Sequence, residues 1–86
     1  MKLDDLPNWT LISGKPNKIS REFKFRNFSE ALTFVNKIGE IAEALNHHPE
    51  IVLNWGYVKV TYWTHDLGDL SEKDFLAAES VDGIFG

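Results

Sequence analysis

Between Phe28 and Leu45 the apolar residues fall at three- and four-residue intervals: Phe28, Ala31, Leu32, Val35, Ile38, Ala42 and Leu45. That spacing lines them up along one face of a helix and excludes a half-buried strand, whose apolar positions recur every second residue. Asn27 followed three positions later by Glu30 has the form of a capping box, which places the helix start. The end is predicted at Leu45 or Asn46, because Pro49 pushes His48 out of helical geometry. A helix of about five turns then occupies the middle of the chain, and the rest must be arranged around it.

The flanking segments carry a different period. Ile19, Phe23 and Phe25 share one parity and Ser20, Glu22 and Lys24 the other, the pattern of a half-buried strand with Arg21 as the single polar residue on its apolar side. Trp9 to Ser13 is a shorter strand candidate, and Gly14-Lys15-Pro16-Asn17 has the residues of a reversing turn. Beyond the helix, Ile51 to Leu53 is a short apolar run and Asn54-Trp55-Gly56 supplies turn chemistry, with Trp55 expected to pack on the turn. Tyr57 to Thr64 then alternates Val58, Val60 and Tyr62 against Lys59, Thr61 and Trp63. Ser71 as N-cap, Asp74 at the third helical position and Leu70 placed to staple onto Phe75 announce a final helix. It is expected to turn Phe75, Leu76, Ala78 and Val81 inward and to stop near Gly83.

The element order is ββαββα. The predicted class is α+β: a four-stranded antiparallel sheet with two helices packed on one face, in one domain spanning residues 1–86. A chain of 86 residues buries only about 60–65% of its unfolded surface. The uncovered sheet face and edge strands therefore favour association with further copies of the chain.

Composition excludes several function classes. There is no cysteine, so disulfides and thiolate metal sites are out of reach. A formal net charge of −4 argues against non-specific nucleic-acid binding, which depends on Lys and Arg neutralising phosphates. The one basic cluster, Lys18, Arg21, Lys24 and Arg26, is interleaved with Glu22 and reads as a solvated strand face. No stretch approaches the roughly 20 apolar residues of a membrane span, and the N-terminal residues lack a signal-peptide core. A soluble, cytoplasmic chain is the expectation, with no nucleic-acid or membrane partner.

Chemistry concentrates in two short segments. Asn46-His47-His48-Pro49-Glu50 holds two of the three histidines, and Glu43 stands one helical turn before His47, within reach of its ring if the helix persists. The third histidine lies in Thr64-His65-Asp66, at the end of the long second-hairpin strand. Three readings compete. The imidazoles form an open three-His metal site, an acid/base set working near neutral pH, or exposed side chains at a helix end and a strand end. Adjacent histidines are awkward chelators, since helical ligand pairs favour spacings of three or four. Trp9 suits packing or stacking on a planar ligand, and Trp63 suits sheet packing or a pocket wall. No Gly-rich phosphate loop or nucleophile elbow is present.

Taken together, E-A-L-N-H-H-P-E at Glu43 to Glu50, V-x-V-x-Y-W-T-H-D at Val58 to Asp66 and L-S-E-K-D at Leu70 to Asp74 resemble the pterin-4a-carbinolamine dehydratase family. The likeness extends upstream through Arg21 to Phe28 and Trp9. Ile51 and Asp69 depart from the family pattern, at positions commonly aromatic and glycine. The resemblance implies dehydration of a 4a-hydroxytetrahydropterin to quinonoid dihydropterin, a step in tetrahydrobiopterin recycling, without metal or organic cofactor, in a homodimer or homotetramer. It makes His47, His48 and His65 the catalytic imidazoles, with His47 or His65 at the leaving hydroxyl. Glu43, Asn46, Trp9, Trp63, Thr64 and Asp66 become the expected substrate contacts. Some relatives serve as dimerisation partners of other proteins, so a binding module of the same fold is the alternative implied.

Overall fold

The computed structural model describes residues 2–86. After a short 3-10 turn at Leu3–Asp5, the chain forms β1 (Thr10–Ile12), β2 (Lys18–Lys24), α1 (Phe28–Leu45), β3 (Glu50–Asn54), β4 (Tyr57–Tyr62) and α2 (Glu72–Phe85). The strands make one antiparallel sheet in the order β1-β2-β4-β3. The predicted ββαββα order and class hold.

Alternation decides which sheet face is covered. In the central β2–β4 pair, Ile19 lies opposite Tyr62, Arg21 opposite Val60 and Phe23 opposite Val58. These positions form the helix-covered face, where Ile19, Phe23, Val58, Val60 and Tyr62 are all buried. Each such side chain contributes about 1.5–3 kcal/mol by leaving water. Arg21 survives on this face because its guanidinium reaches Asp82 of α2 at 2.6 Å and lies over the rings of Phe23 and Phe85.

The helices begin where their caps predict. The Asn27 side chain accepts the Glu30 N–H at 2.9 Å, and at α2 the Ser71 N–H donates to the Asp74 carboxylate at 2.9 Å. Their inward faces differ from expectation. Ala31, Phe34, Ile38 and Ala42 are the buried residues of α1, while Phe28, Leu32 and Leu45 are exposed. The apolar residues of α1 form two overlapping stripes, and periodicity alone does not say which one turns inward. In α2, Ala77, Ala78 and Val81 are buried, Leu76 is exposed, and the helix runs through Gly83 to Phe85. This lets Phe85 join Phe23, Phe25 and Phe34 in one aromatic cluster. Trp55, expected to pack on its turn, is exposed at the hairpin tip.

Candidate active site

The chain leaves α1 through a residue with φ 50° and ψ 45°, Asn46, in the left-handed region that asparagine tolerates better than most. The His47 N–H then bonds back to the Ala42 carbonyl at 3.0 Å, closing the helix end. The helix stops at the predicted place, but Asn46 makes the turn and Pro49 follows it. Reversal at Asn46 sends the two neighbouring histidines to different partners.

His47 turns inward. Its Nε2 lies 2.6 Å from Oδ1 of Asp74, whose side chain is fully buried. The other Asp74 oxygen accepts from the Thr64 hydroxyl at 2.9 Å and from the Ser71 N–H at 2.9 Å. The Thr64 proton is committed to the carboxylate, so the Ser71 hydroxyl, 2.6 Å away, donates to Thr64. A carboxylate has no proton to give, so His47 donates from Nε2, which leaves Nδ1 outside this bond. Beneath the imidazole lies the Tyr62 ring, nearly parallel at 11° with centroids 5.8 Å apart. Burial, with the Asp74 charge adding to it, pushes the Tyr62 phenol well above its ordinary range.

His48 turns outward, and its Nε2 meets the Glu43 carboxylate at the surface. The sequence expectation paired Glu43 with His47. The left-handed residue between them rotates His47 away and brings His48 into reach instead. His65 follows Thr64 in the loop after β4, with its ring centroid 4.6 Å from that of Trp63.

Asn46, His47, His48, Thr64, His65, Asp66 and Lys73 line a cavity of about 290 Å³. The fold thus gathers all three histidines with Asn46, Thr64 and Asp66, from segments far apart in sequence. Glu43 stands behind His48, and Trp63 stands behind His65. Trp9, also expected as a substrate contact, does not line this cavity. It is buried against Phe23 and Tyr62, and its indole N–H donates to Asp82 at 2.9 Å. An early tryptophan with polar neighbours has no local cue to separate these roles.

Lys73 at the cavity, and Asp74 and Tyr62 against His47, were not among the residues expected there from the sequence. Both Asp74 and Tyr62 stand within the quoted motifs, but the sequence reading gives Asp74 only a capping role at α2 and Tyr62 only a core-facing strand position. A buried carboxylate is rarely left unpaired, so its position one turn into an inward-facing helix was the available signal.

Comparison with known proteins identifies the family and the fold. The sequence profile of the pterin 4 alpha carbinolamine dehydratase family matches residues 1–84. A relative from Hahella chejuensis, provisionally named a pterin-4-alpha-carbinolamine dehydratase, is 46% identical over 96% of this chain and 75% of its own length. One from Rubrobacter xylanophilus with the same provisional name is 47% identical over 92% of this chain and 72% of its own. Among solved structures, a transcriptional coactivator/pterin dehydratase from Brucella melitensis superposes with a TM-score of 0.90 at 36% identity, covering 98% of this chain and 88% of that one. A pterin dehydratase-like protein described as a RuBisCO assembly factor in the alpha-carboxysome gives 0.78 at 25% identity, covering 92% and 90%. From its sequence and its fold alike, the chain belongs to the pterin 4 alpha carbinolamine dehydratase family.

Proposed function

We propose that this protein is a hydro-lyase that dehydrates a 4a-hydroxytetrahydropterin to the quinonoid dihydropterin by histidine acid/base catalysis. The observation that carries the proposal is the convergence of three imidazoles on one cavity, with the innermost held on a buried carboxylate. The reaction breaks the C4a–O bond, removes the N5 proton and forms the C4a=N5 double bond, releasing water. It therefore needs one group to protonate the departing hydroxyl and another to take the N5 proton. His47, as the imidazolium, is assigned the hydroxyl: Asp74 holds its Nε2–H, so the Nδ1–H is the proton given to the departing oxygen, and the carboxylate balances the ring's charge. His65 is assigned the N5 proton. His48, exposed and backed by Glu43, is assigned proton exchange between the cavity and solvent. Asn46 and Asp66 supply an amide and a carboxylate suited to the donor and acceptor edge of a pterin.

The test is single-turnover dehydration of a synthetic 4a-hydroxytetrahydropterin. His47→Ala and His65→Ala are each expected to slow the chemical step by about 100-fold, the low end for a lost acid or base. Wild-type protein that does not accelerate the reaction would overturn the reading.

A second reading, partner binding, draws on the exposed apolar residues Phe28 and Leu32, one turn apart on α1, and on the description of one solved relative as an assembly factor. Either role is compatible with a homodimer or homotetramer, which the unpaired edges of β1 and β3 would permit. Light scattering reads the copy number directly. A heteromeric partner that remained bound to the triple histidine-to-alanine variant would favour the adaptor role.

A further inference from the structure

Successive strand residues point to opposite sheet faces, and the end of β4 places one aromatic ring on each. Tyr62 lies on the covered face beneath His47. Trp63 lies on the open face, with its ring 4.6 Å from that of His65 at an interplanar angle of 48°. The three imidazoles are thus secured differently. His47 has Asp74 and His48 has Glu43, whereas the His65 ring makes no hydrogen bond among the described residues and rests against Trp63. The indole is itself held, since the Lys18 ammonium sits 4.2 Å from its ring centroid. Lys18 precedes Ile19, and Trp63 follows Tyr62, its cross-strand partner.

We propose that Trp63 is a positioning residue for His65, with Lys18 fixing the indole from β2. This rests on the dehydratase reading and adds to it the device that aims the third imidazole. His65 is exposed and lies in the irregular segment between β4 and α2, where its side chain would otherwise exchange among staggered rotamers. Contact with a large, half-buried ring selects among them. A cation over an indole face is attracted by the ring's quadrupole, which restricts the ring in turn. Acid/base catalysis is sensitive to such placement, because proton transfer requires the donor and acceptor within hydrogen-bond reach.

The alternative role for Trp63, direct contact with substrate, makes opposite kinetic predictions. A substrate contact removed by Trp63→Ala raises KM, whereas a lost positioning residue lowers kcat. Trp63→Ala is expected to reduce kcat about tenfold while KM stays within about twofold, with Trp63→Phe restoring most of the rate. Lys18→Met, which keeps the stem and removes the charge, is expected to give a smaller loss of kcat. An independent readout is the NMR position of the His65 ring protons, displaced by the indole ring current. These resonances should move toward their unstructured positions in Trp63→Ala and stay displaced in Trp63→Phe. A raised KM at unchanged kcat, or His65 resonances indifferent to Trp63→Ala, would overturn the proposal. The resonance measurement does not depend on turnover. An inactive wild type with a normal Trp63-dependent His65 shift would therefore indict the dehydratase reading rather than the contact.

Discussion

Nε2 of His47 and Oδ1 of Asp74 lie 2.6 Å apart across 27 residues of sequence, joining the end of α1 to the first turn of α2. The other oxygen of the carboxylate is occupied by Thr64 and Ser71, so the histidine completes its coordination. Buried carboxylates with several donors orient a partner ring firmly, because the ring cannot turn without leaving the charge unpaired.

Asp74→Asn keeps the volume of the side chain but replaces one acceptor oxygen by a donor. We expect stability to fall by about 1–3 kcal/mol, read from urea unfolding followed by tryptophan fluorescence. The dehydration rate should fall by about tenfold or more. The Ser71 N–H claims the single amide oxygen and turns the amide NH2, a donor, toward His47 Nε2, and the ring also loses the charge that balances its imidazolium form. Thr64→Val removes one donor to the same carboxylate and should cost less, about 1 kcal/mol.

Trp9→Phe separates a packing tryptophan from a substrate-binding one. Its indole gives a hydrogen bond to Asp82, which also receives Arg21. Losing the indole N–H is expected to cost about 1 kcal/mol of stability with KM for the pterin unchanged. An increase in KM at unchanged stability would return Trp9 to the site.

Tyr62 makes stability sensitive to alkali. Burial, and secondarily Asp74, raise its phenol above the ordinary value of 10.0, so above about pH 10 the unfolded chain ionises first. The contribution is complete below the unfolded value and is lost as pH climbs toward the folded one. Tyr62→Phe should flatten the fall in unfolding midpoint between pH 9.5 and 11, a window of about one and a half units around the free phenol value. The hydroxyl has no hydrogen-bond partner among the described residues, so its removal strands no other group.

Two glycines should respond oppositely to alanine. A Cβ at Gly56 would lie 2.6 Å from the Phe25 carbonyl oxygen, in the turn where the Phe25 N–H donates to the Gly56 carbonyl at 2.8 Å. Gly56→Ala is expected to destabilise by about 1–3 kcal/mol. Gly39, within α1, has nothing within 4 Å of its would-be Cβ, and Gly39→Ala should stabilise by about 0.5–1 kcal/mol. Thermal unfolding of the two variants side by side checks both signs.

The elements of the fold were readable from period and punctuation. Alternation in Ile19 to Phe25 and Tyr57 to Thr64 identifies the central strands with their faces, and Asn27 and Ser71 mark the helix starts. Which face of α1 turns inward was less legible, because Leu32 and Phe34 are equally apolar and only the tertiary contact selects between them. The same limit governs the site. The two histidine motifs are visible as sequence, but the pairing of Glu43 with His48 follows from the backbone conformation of Asn46. The anchoring of His47 by Asp74 depends on two helices meeting, which local spacing does not encode.

Four consecutive residues, from the last of β4 into the loop after it, each serve a different part of the site: Tyr62 beneath His47, Trp63 beside His65, Thr64 on Asp74, and His65 itself. Because side chains alternate with a period of two, a one-residue slip of β4 against β2 would exchange the faces of Tyr62 and Trp63 at once. The supports of His47 and His65 are therefore tied to one register, although either ring is released alone by loss of its own partner. A change in loop length that shifts this register would remove both ring supports together, while changes that preserve it leave room for the loop residues around His65 to vary.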